Sequence, residues 1–150
     1  MAQWLWPRGN WGCLLSSAAK AKAADQALGE YGEKLALAEA VAKGWSPWKR
    51  NHKLAVGEID LALLREVDGH KELLVLEVKT SRRPIAEPGR RWSQPQRRRL
   101  WRLAEQLTLE SAAEVVQVAL VLVVVHGTAE DVTWIPVTVD DVESARTRRV

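Results

Sequence analysis

The sequence predicts one α/β domain in which helices flank a mixed β-sheet. Two apolar runs around Asp68 and Gly69 are typical of a β-hairpin, because an Asp-Gly dipeptide favours a two-residue turn. A third apolar run, residues 115–125, is apolar on both faces, as expected of a strand inside a sheet. Segments rich in helix formers precede and separate these strands, so we expect helices to cover the sheet.

Composition limits the class of protein. A chain of 150 residues can bury one core but is too short for two comfortable domains. Its single cysteine, Cys13, excludes an intramolecular disulfide and a multi-cysteine zinc site, which fits a reducing cytosol. The N-terminal residues lack the pattern of a signal peptide, and no apolar run reaches the roughly 20 residues of a membrane helix. We therefore expect a cytoplasmic protein that does not bind a membrane.

The first helix is expected at about residues 18–43, which are rich in Ala, Leu, Glu and Lys, with a glycine as its stop. Gly29 and Gly32 weaken its middle, so we expect it to begin afresh near them. A packed row then follows at helical spacing, with Glu33 at its edge and Leu37, Ala40 and Val41 in it. Residues 1–28 are expected to be an extension, partly helical or disordered, before a domain at residues 29–140 and a polar tail at residues 141–150.

A second helix is expected to begin at Ser93, because Ser93 and Gln96 have the spacing of a capping box and Pro95 is tolerated in the first turn. Its packed stripe is Leu100, Leu103, Ala104 and Leu107. Two further strands are expected at sheet edges, in residues 45–53 and 131–139, because their prolines cannot donate a ladder hydrogen bond.

The hairpin carries acids where a buried strand should have none. Alternation puts Glu58 and Asp60 on one face of the first strand, and Glu77 and Lys79 on one face of the second. The two-residue turn then places Asp60 opposite Glu77 and Glu58 opposite Lys79, with opposed β-carbons roughly 5 Å apart. A magnesium ion suits two such carboxylates, because it takes one or two of them and keeps waters and phosphate oxygens. The alternative is a solvated charged face on which Glu58 and Lys79 form an ordinary cross-strand pair.

The positive charge is local. Residues 82–102 contain eight arginines and one acid, which gives +7 in a chain whose net charge is +3. Such a patch most often faces phosphate backbones, although a solvated helix face with a mobile loop is the alternative. The arginines expected to contact nucleic acid are Arg82, Arg83, Arg90, Arg91, Arg97, Arg98, Arg99 and Arg102.

Several motifs in this chain resemble one known family. They are GEYGEKLALAEAVAKGW, Asn51, GEIDLALL and LLVLEVKT, followed by the helix after RRW. Together they resemble the YraN-like family of uncharacterised bacterial proteins. That family lies within the restriction-endonuclease-like, or PD-(D/E)XK, superfamily and is similar to archaeal Holliday-junction resolvases. The resemblance covers roughly residues 29–126, and GEID followed some twenty residues later by EVKT is fairly specific.

The resemblance implies a restriction-endonuclease-like mixed sheet and the catalytic set Glu33, Asp60, Glu77 and Lys79. Asp60 and Glu77, with the carbonyl of Val78, would bind Mg²⁺ or Mn²⁺. Lys79 would orient or activate the attacking water, and Glu33 would complete the acidic cluster.

At two positions the expected role differs from the one that the family motif suggests. Glu58 also matches the family motif, but its pairing makes it a partner of Lys79 rather than a metal ligand. Where the family usually has a lysine at the start of the second helix, this chain has Gln96, and Arg97 or Arg98 is expected to supply that charge.

The favoured function is therefore a Mg²⁺-dependent endonuclease that hydrolyses phosphodiester bonds of DNA. Branched DNA is one candidate substrate, and its cleavage would suit a homodimer. One alternative is a non-catalytic nucleic-acid-binding module with the same fold. Another is a protein-interaction domain that uses exposed tryptophans, among them Trp4, Trp6 and Trp11.

Overall fold

A computed structural model describes the backbone of residues 11–143 and the side chains of residues 17–143, so the side chains of Trp4, Trp6 and Trp11 lie outside the described residues. The elements in chain order are α1 (Trp11–Ala42), β1 (Ser46–Leu54), β2 (Gly57–Val67), β3 (His70–Ser81), a 3₁₀ turn (Pro88–Arg91), α2 (Gln94–Ser111), β4 (Val115–His126), β5 (Ala129–Pro136) and α3 (Val139–Glu143). Within the described range, no helix is both long and apolar enough to cross a membrane.

The five strands form one sheet in the order β1-β2-β3-β4-β5. β3 and β4 run parallel, and the other neighbouring strands are antiparallel. The sheet is therefore mixed and flanked by helices, which confirms the predicted α/β class and is consistent with a restriction-endonuclease-like fold. β1 and β5 lie at the edges, as their prolines predicted, and β4 lies inside the sheet.

Both faces of the sheet are apolar, because each is covered by a helix. Leu61, Leu74 and Val121 belong to the core on the α1 face, which also contains Ala36 and Ala40 of that helix. The core on the α2 face combines strand residues with the predicted stripe of α2, all of it buried: Leu73, Val75, Leu120 and Leu122 with Leu100, Leu103, Ala104 and Leu107. Two-sided burial explains why the inner strands are continuous apolar runs.

The capping box of α2 is confirmed. The Ser93 hydroxyl accepts a hydrogen bond from the Gln96 backbone N–H at 3.3 Å, and the Gln96 side-chain oxygen accepts one from the Ser93 N–H at 2.8 Å. Two N–H groups that the helix itself leaves unpaired are satisfied in this way.

The last strand is shorter than predicted, because β5 ends at Pro136 and α3 begins at Val139. Asp141 causes the change: its carboxylate accepts from the backbone N–H and the hydroxyl of Thr138, at 2.9 and 3.0 Å. These bonds start a helical turn where a strand was expected. The domain limits at residues 29 and 140 stay a prediction.

Helix α1 does not begin afresh at its glycines but runs continuously through Gly29 and Gly32. Small buried residues at Gly32, Ala36 and Ala40 form the row that faces the sheet. Val41, expected in this row, is instead 49% exposed. The small residues let the helix approach β3 so closely that a β-carbon at position 32 would overlap the Thr80 hydroxyl. Packing against the sheet thus outweighs the low helix propensity of glycine.

Two alanine substitutions in α1 test this close approach. Gly32→Ala is expected to lower the free energy of unfolding by roughly 1–3 kcal/mol, because the added methyl group overpacks against Thr80. Gly29→Ala is the matched control, since a β-carbon there meets nothing within 4 Å, and should raise it by about 0.5–1 kcal/mol. Urea unfolding of both variants measures the difference. Equal stability of the two would contradict the packing.

Candidate active site

The hairpin has the predicted register over most of its length. Residues Leu61–Val67 pair with His70–Leu76 around the turn. Asp68 and Gly69 have φ values of 50° and 80°, the left-handed conformation that a two-residue type I′ turn requires. The turn at one end of the hairpin therefore determines which residues meet at the other.

At Asp60 the regular pairing stops. The β2–β3 ladder ends at Leu61, and the β1–β2 ladder omits both Asp60 and Asn51, whose φ is 45°. Asp60 replaces the missing ladder with its side chain, because its Oδ2 accepts a hydrogen bond of 2.7 Å from the Val78 N–H. Asp60 and Glu77 thus follow directly after the last ladder pair, at the opened end of the hairpin.

Asp60 is a destabilised carboxylate. Burial is the largest cause that raises the pKa of Asp60, and the charges of Glu77 and Glu58 raise it further. The Val78 hydrogen bond and the charge of Lys79 act in the opposite direction but do not restore the ordinary value. Carboxyl groups whose pKa values are raised by burial and by a neighbouring acid are typical of functional sites.

Glu33 of α1 joins this group. Burial raises its pKa and the charge of Asp60 raises it again, whereas the Asn51 side chain, which donates a hydrogen bond to Glu33, and the charge of Arg50 lower it. The close approach of Gly32 to β3 brings Glu33 to the site, since the two residues are adjacent in the chain. Asn51, a motif residue to which the sequence assigned no role, orients this carboxylate.

Glu77 lies between two cations. It is only 8% exposed, and its Oε1 is 3.3 Å from the Lys79 Nζ, while its Oε2 is 3.9 Å from the Arg99 Nη2. The predicted Glu58–Lys79 pair is therefore wrong, because Lys79 pairs with Glu77 on its own strand. Glu58 is exposed and pairs through its backbone with Lys53 of β1. The register of the hairpin does not extend to Glu58, since the strands separate beyond Leu61.

Arg99 brings a positive charge from α2 to the acids. It lies four residues before the buried Leu103, so helical spacing places it at the edge of the packed stripe. Its side chain passes over Gly57, where a β-carbon would stand 3.3 Å from the Arg99 Cδ. The first residue of the GEID motif thus leaves room for Arg99.

The two arginines expected to supply this charge lie elsewhere. Arg97 donates hydrogen bonds to the carbonyls of Gly89, at 2.7 Å, and Trp92, at 3.5 Å. Arg98 lines a small cavity together with Arg102 on another side of α2. Sequence reasoning placed Arg99 among the phosphate contacts and missed its position beside Glu77.

The remaining five arginines are exposed, and four of them form a basic surface in the segment that follows the site. Arg82, Arg83, Arg90 and Arg91 are exposed in the segment between β3 and α2, and Arg102 is exposed on α2. The segment leaves β3 directly after Lys79 and Thr80, where the Ser81 hydroxyl accepts from the Arg83 N–H and donates to its carbonyl. Contact of these side chains with nucleic acid stays a prediction.

The site fits a hard cation held by few protein ligands. Among the described residues, no three acidic, histidine or cysteine side chains are grouped to hold a metal ion. Mg²⁺, however, needs only one or two carboxylates. Asp60 and Glu77 can supply them, and a bound cation would offset the burial and, with it, the repulsion from Glu77 that together raise the pKa of Asp60. The carbonyl of Val78 as a third ligand stays a prediction.

Comparison with known families matches the sequence of this chain to one of them. A family model described as "Uncharacterised protein family UPF0102" matches residues 32–125. The chain belongs to this family. The match confirms the predicted YraN-like assignment, with which the superfamily placement is consistent, and it includes Glu33, both hairpin motifs and Arg99. Among curated proteins, none matches this UPF0102 chain.

The raised pKa of Asp60 predicts a pH-dependent stability. The folded protein binds more protons than the unfolded chain between the ordinary value, 3.8, and the raised value, so stability falls as pH rises through that window. Asp60→Asn removes the charge and keeps an oxygen that can accept from the Val78 N–H. We expect this variant to gain stability relative to the parent as pH rises from about 4 toward neutrality.

Urea unfolding across that pH range, with a chelator present, measures the gain. Asp68→Asn at the exposed turn is the matched control, because asparagine tolerates its positive φ. A constant difference between Asp60→Asn and the parent at every pH would contradict the expectation.

Proposed function

We propose that this protein is a divalent-metal-dependent endonuclease that hydrolyses phosphodiester bonds of DNA. The observation that carries the proposal is the pair Asp60 and Glu77, two carboxylates at the opened end of a hairpin with Lys79 and Arg99 beside them. A purely structural role would not explain such a pair, because burying two carboxylates side by side lowers the stability of the folded state. Family membership is consistent with a nuclease.

Each side chain has a distinct part in this proposal. Asp60 and Glu77 would hold Mg²⁺ or Mn²⁺, which supplies Lewis-acid polarisation of the phosphodiester and lowers the pKa of water. Lys79 and Arg99 stabilise the additional negative charge that the phosphate acquires in the transition state. Glu33, with a raised pKa, is suited to accept a proton from the attacking water, and Asn51 holds its carboxylate in place.

The basic surface supplies affinity. Arginines that contact phosphates position the DNA without reading its sequence, and their binding weakens steeply with salt. Branched DNA is included among the proposed substrates. A cytoplasmic location and a homodimer stay predictions.

The proposal is tested by removing single charges from the site. Asp60→Asn and Lys79→Ala are each expected to lower the cleavage rate by about 100-fold or more, the usual effect of losing one charge-stabilising group. DNA binding should remain, because the exposed arginines are intact. Asp68→Asn, the same substitution at the turn, should cleave like the parent.

Labelled linear, branched and single-stranded DNA, with Mg²⁺, Mn²⁺ or a chelator, provide the cleavage assay, and fluorescence anisotropy in chelator measures binding. Parent-like cleavage by clean Asp60→Asn protein would defeat the proposal. Salt-dependent binding without product under any metal would instead favour the non-catalytic module.

Two arginine variants separate catalysis from binding. Arg99→Gln should lower kcat by roughly 10- to 100-fold with little change in DNA affinity, because Arg99 faces Glu77. Arg91→Gln, an exposed position, should mainly weaken affinity and reduce the salt dependence by about one phosphate contact. Single-turnover rates and binding isotherms measure both effects. The same pattern in the two variants would show that Arg99 only binds phosphate.

A further inference from the structure

A second pocket, of about 340 Å³, opens on the α2 face of the sheet. Its floor is formed by the ends of β4 and β5, with Leu122, Val124, His126, Asp131 and Thr133. Its wall is the segment after β3, with Pro84, Ile85 and Pro88. None of these residues belongs to the acidic site or to the basic surface described above.

Strand register places this pocket beside Lys79. Lys79 pairs with Leu122 of β4, and Leu122 pairs with Thr133 of β5. Paired residues point to the same face and neighbouring strands lie about 4.8 Å apart, so Thr133 is roughly 10 Å from Lys79 across the sheet. The floor of the pocket therefore begins one strand away from the proposed catalytic lysine.

The lining suits a nucleobase better than a phosphate. Asp131 is exposed and contacts the His126 ring, with 3.4 Å between its Oδ2 and the Nε2. Its negative charge repels phosphate, but a carboxylate accepts hydrogen bonds from the exocyclic amines of bases. Pro84 and Pro88 give apolar walls against which a flat ring can pack. Arg82 is exposed two residues before Pro84 in the chain, so it can supply a cation for a phosphate near this wall.

We propose that this pocket takes one unpaired nucleobase of the DNA strand, next to the bond that is cut. The inference rests on the proposed nuclease function and narrows its substrate. A base inside a duplex must be unstacked and unpaired before it can enter such a pocket, and this costs free energy. DNA that already carries an unpaired nucleotide at the cut, as in a flap, a bulge or a branch point, avoids the cost.

The test compares two DNA duplexes of the same sequence around the cut, one fully paired and one with an unpaired nucleotide. The parent protein should cleave the second at least about ten-fold faster, the scale of one bound base. Replacing the unpaired nucleotide with an abasic residue should remove this preference, because the pocket then has no base to hold.

Protein variants locate the effect. Thr133→Tyr fills the pocket and Asp131→Ala removes its acceptor, so both should reduce the preference for the unpaired nucleotide toward one. Glu130→Ala is the matched control, because Glu130 precedes Asp131 in β5 but contacts Tyr31 of α1 on the other face. It removes the same charge and should keep the preference.

The outcomes separate the pocket from the nuclease. Equal cleavage of the two duplexes, or a preference retained in Thr133→Tyr, overturns the pocket and leaves the nuclease proposal standing. If no DNA is cleaved, the nuclease proposal fails, and the pocket is judged by binding alone. With 2-aminopurine as the unpaired base, a change in fluorescence on binding that Thr133→Tyr abolishes supports the pocket. An identical change in parent and variant overturns it.

Discussion

The site depends on one hydrogen bond, from the Val78 N–H to the Asp60 carboxylate. In a regular hairpin a backbone carbonyl would accept from that N–H, and the two strands would stay paired to their ends. Because a side chain accepts instead, the strands separate after Leu61 and leave room between them. Without the carboxylate, a buried N–H would lose its partner, at a cost of about 1–3 kcal/mol. Asp60 therefore has both a structural and an electrostatic role. Asn is an informative replacement because it keeps the hydrogen-bond acceptor and removes the charge.

The surroundings of Asp60 carry an excess of negative charge that the fold only partly offsets. The charge of Asp60 acts on Glu33 and the charge of Glu77 acts on Asp60, while Lys79 and Arg99 lie beside Glu77 as cations. The pKa values of Asp60 and Glu33 are raised, so neutral pH destabilises the folded state through both of them. Proteins keep buried acids that lower stability mainly where a bound ligand offsets their charge. Selection for stability alone would replace these acids with apolar residues. Burial of apolar side chains on both faces of the sheet supplies the stability that offsets the destabilising acids.

Local signals in the sequence predicted the fold well, because the decisive contacts lie close together in the chain. The Asp-Gly turn fixed the hairpin register, and Ser93 with Gln96 fixed the start of α2. The Glu58–Lys79 pair failed because that register was extended past Leu61, where a side chain breaks the ladder. The predicted break of α1 near Gly32 was wrong for a related reason. Helix propensity counts glycine as destabilising, but here glycine permits the close contact with Thr80, which is 48 residues later in the chain. The sequence showed Arg99 only as one of the eight arginines of the basic patch. Its spacing of four residues from Leu103 was the one signal that it lies at the packed side of α2.

The arginine-rich segment is not a uniform cationic surface. Arg97 holds the carbonyls of Gly89 and Trp92, and Arg90 pairs with Glu87. Arg99 turns toward Glu77, so the charge of +7 overstates what a phosphate backbone would meet. The bonds of Arg97 have a second consequence, because they tie the 3₁₀ turn to the first turn of α2. The wall formed by Pro84 and Pro88 is thereby held between Ser81 at one end and a capped helix at the other. Anchored ends limit the conformations of this wall, and the fewer conformations a pocket loses when a ligand enters, the smaller the entropic cost of binding.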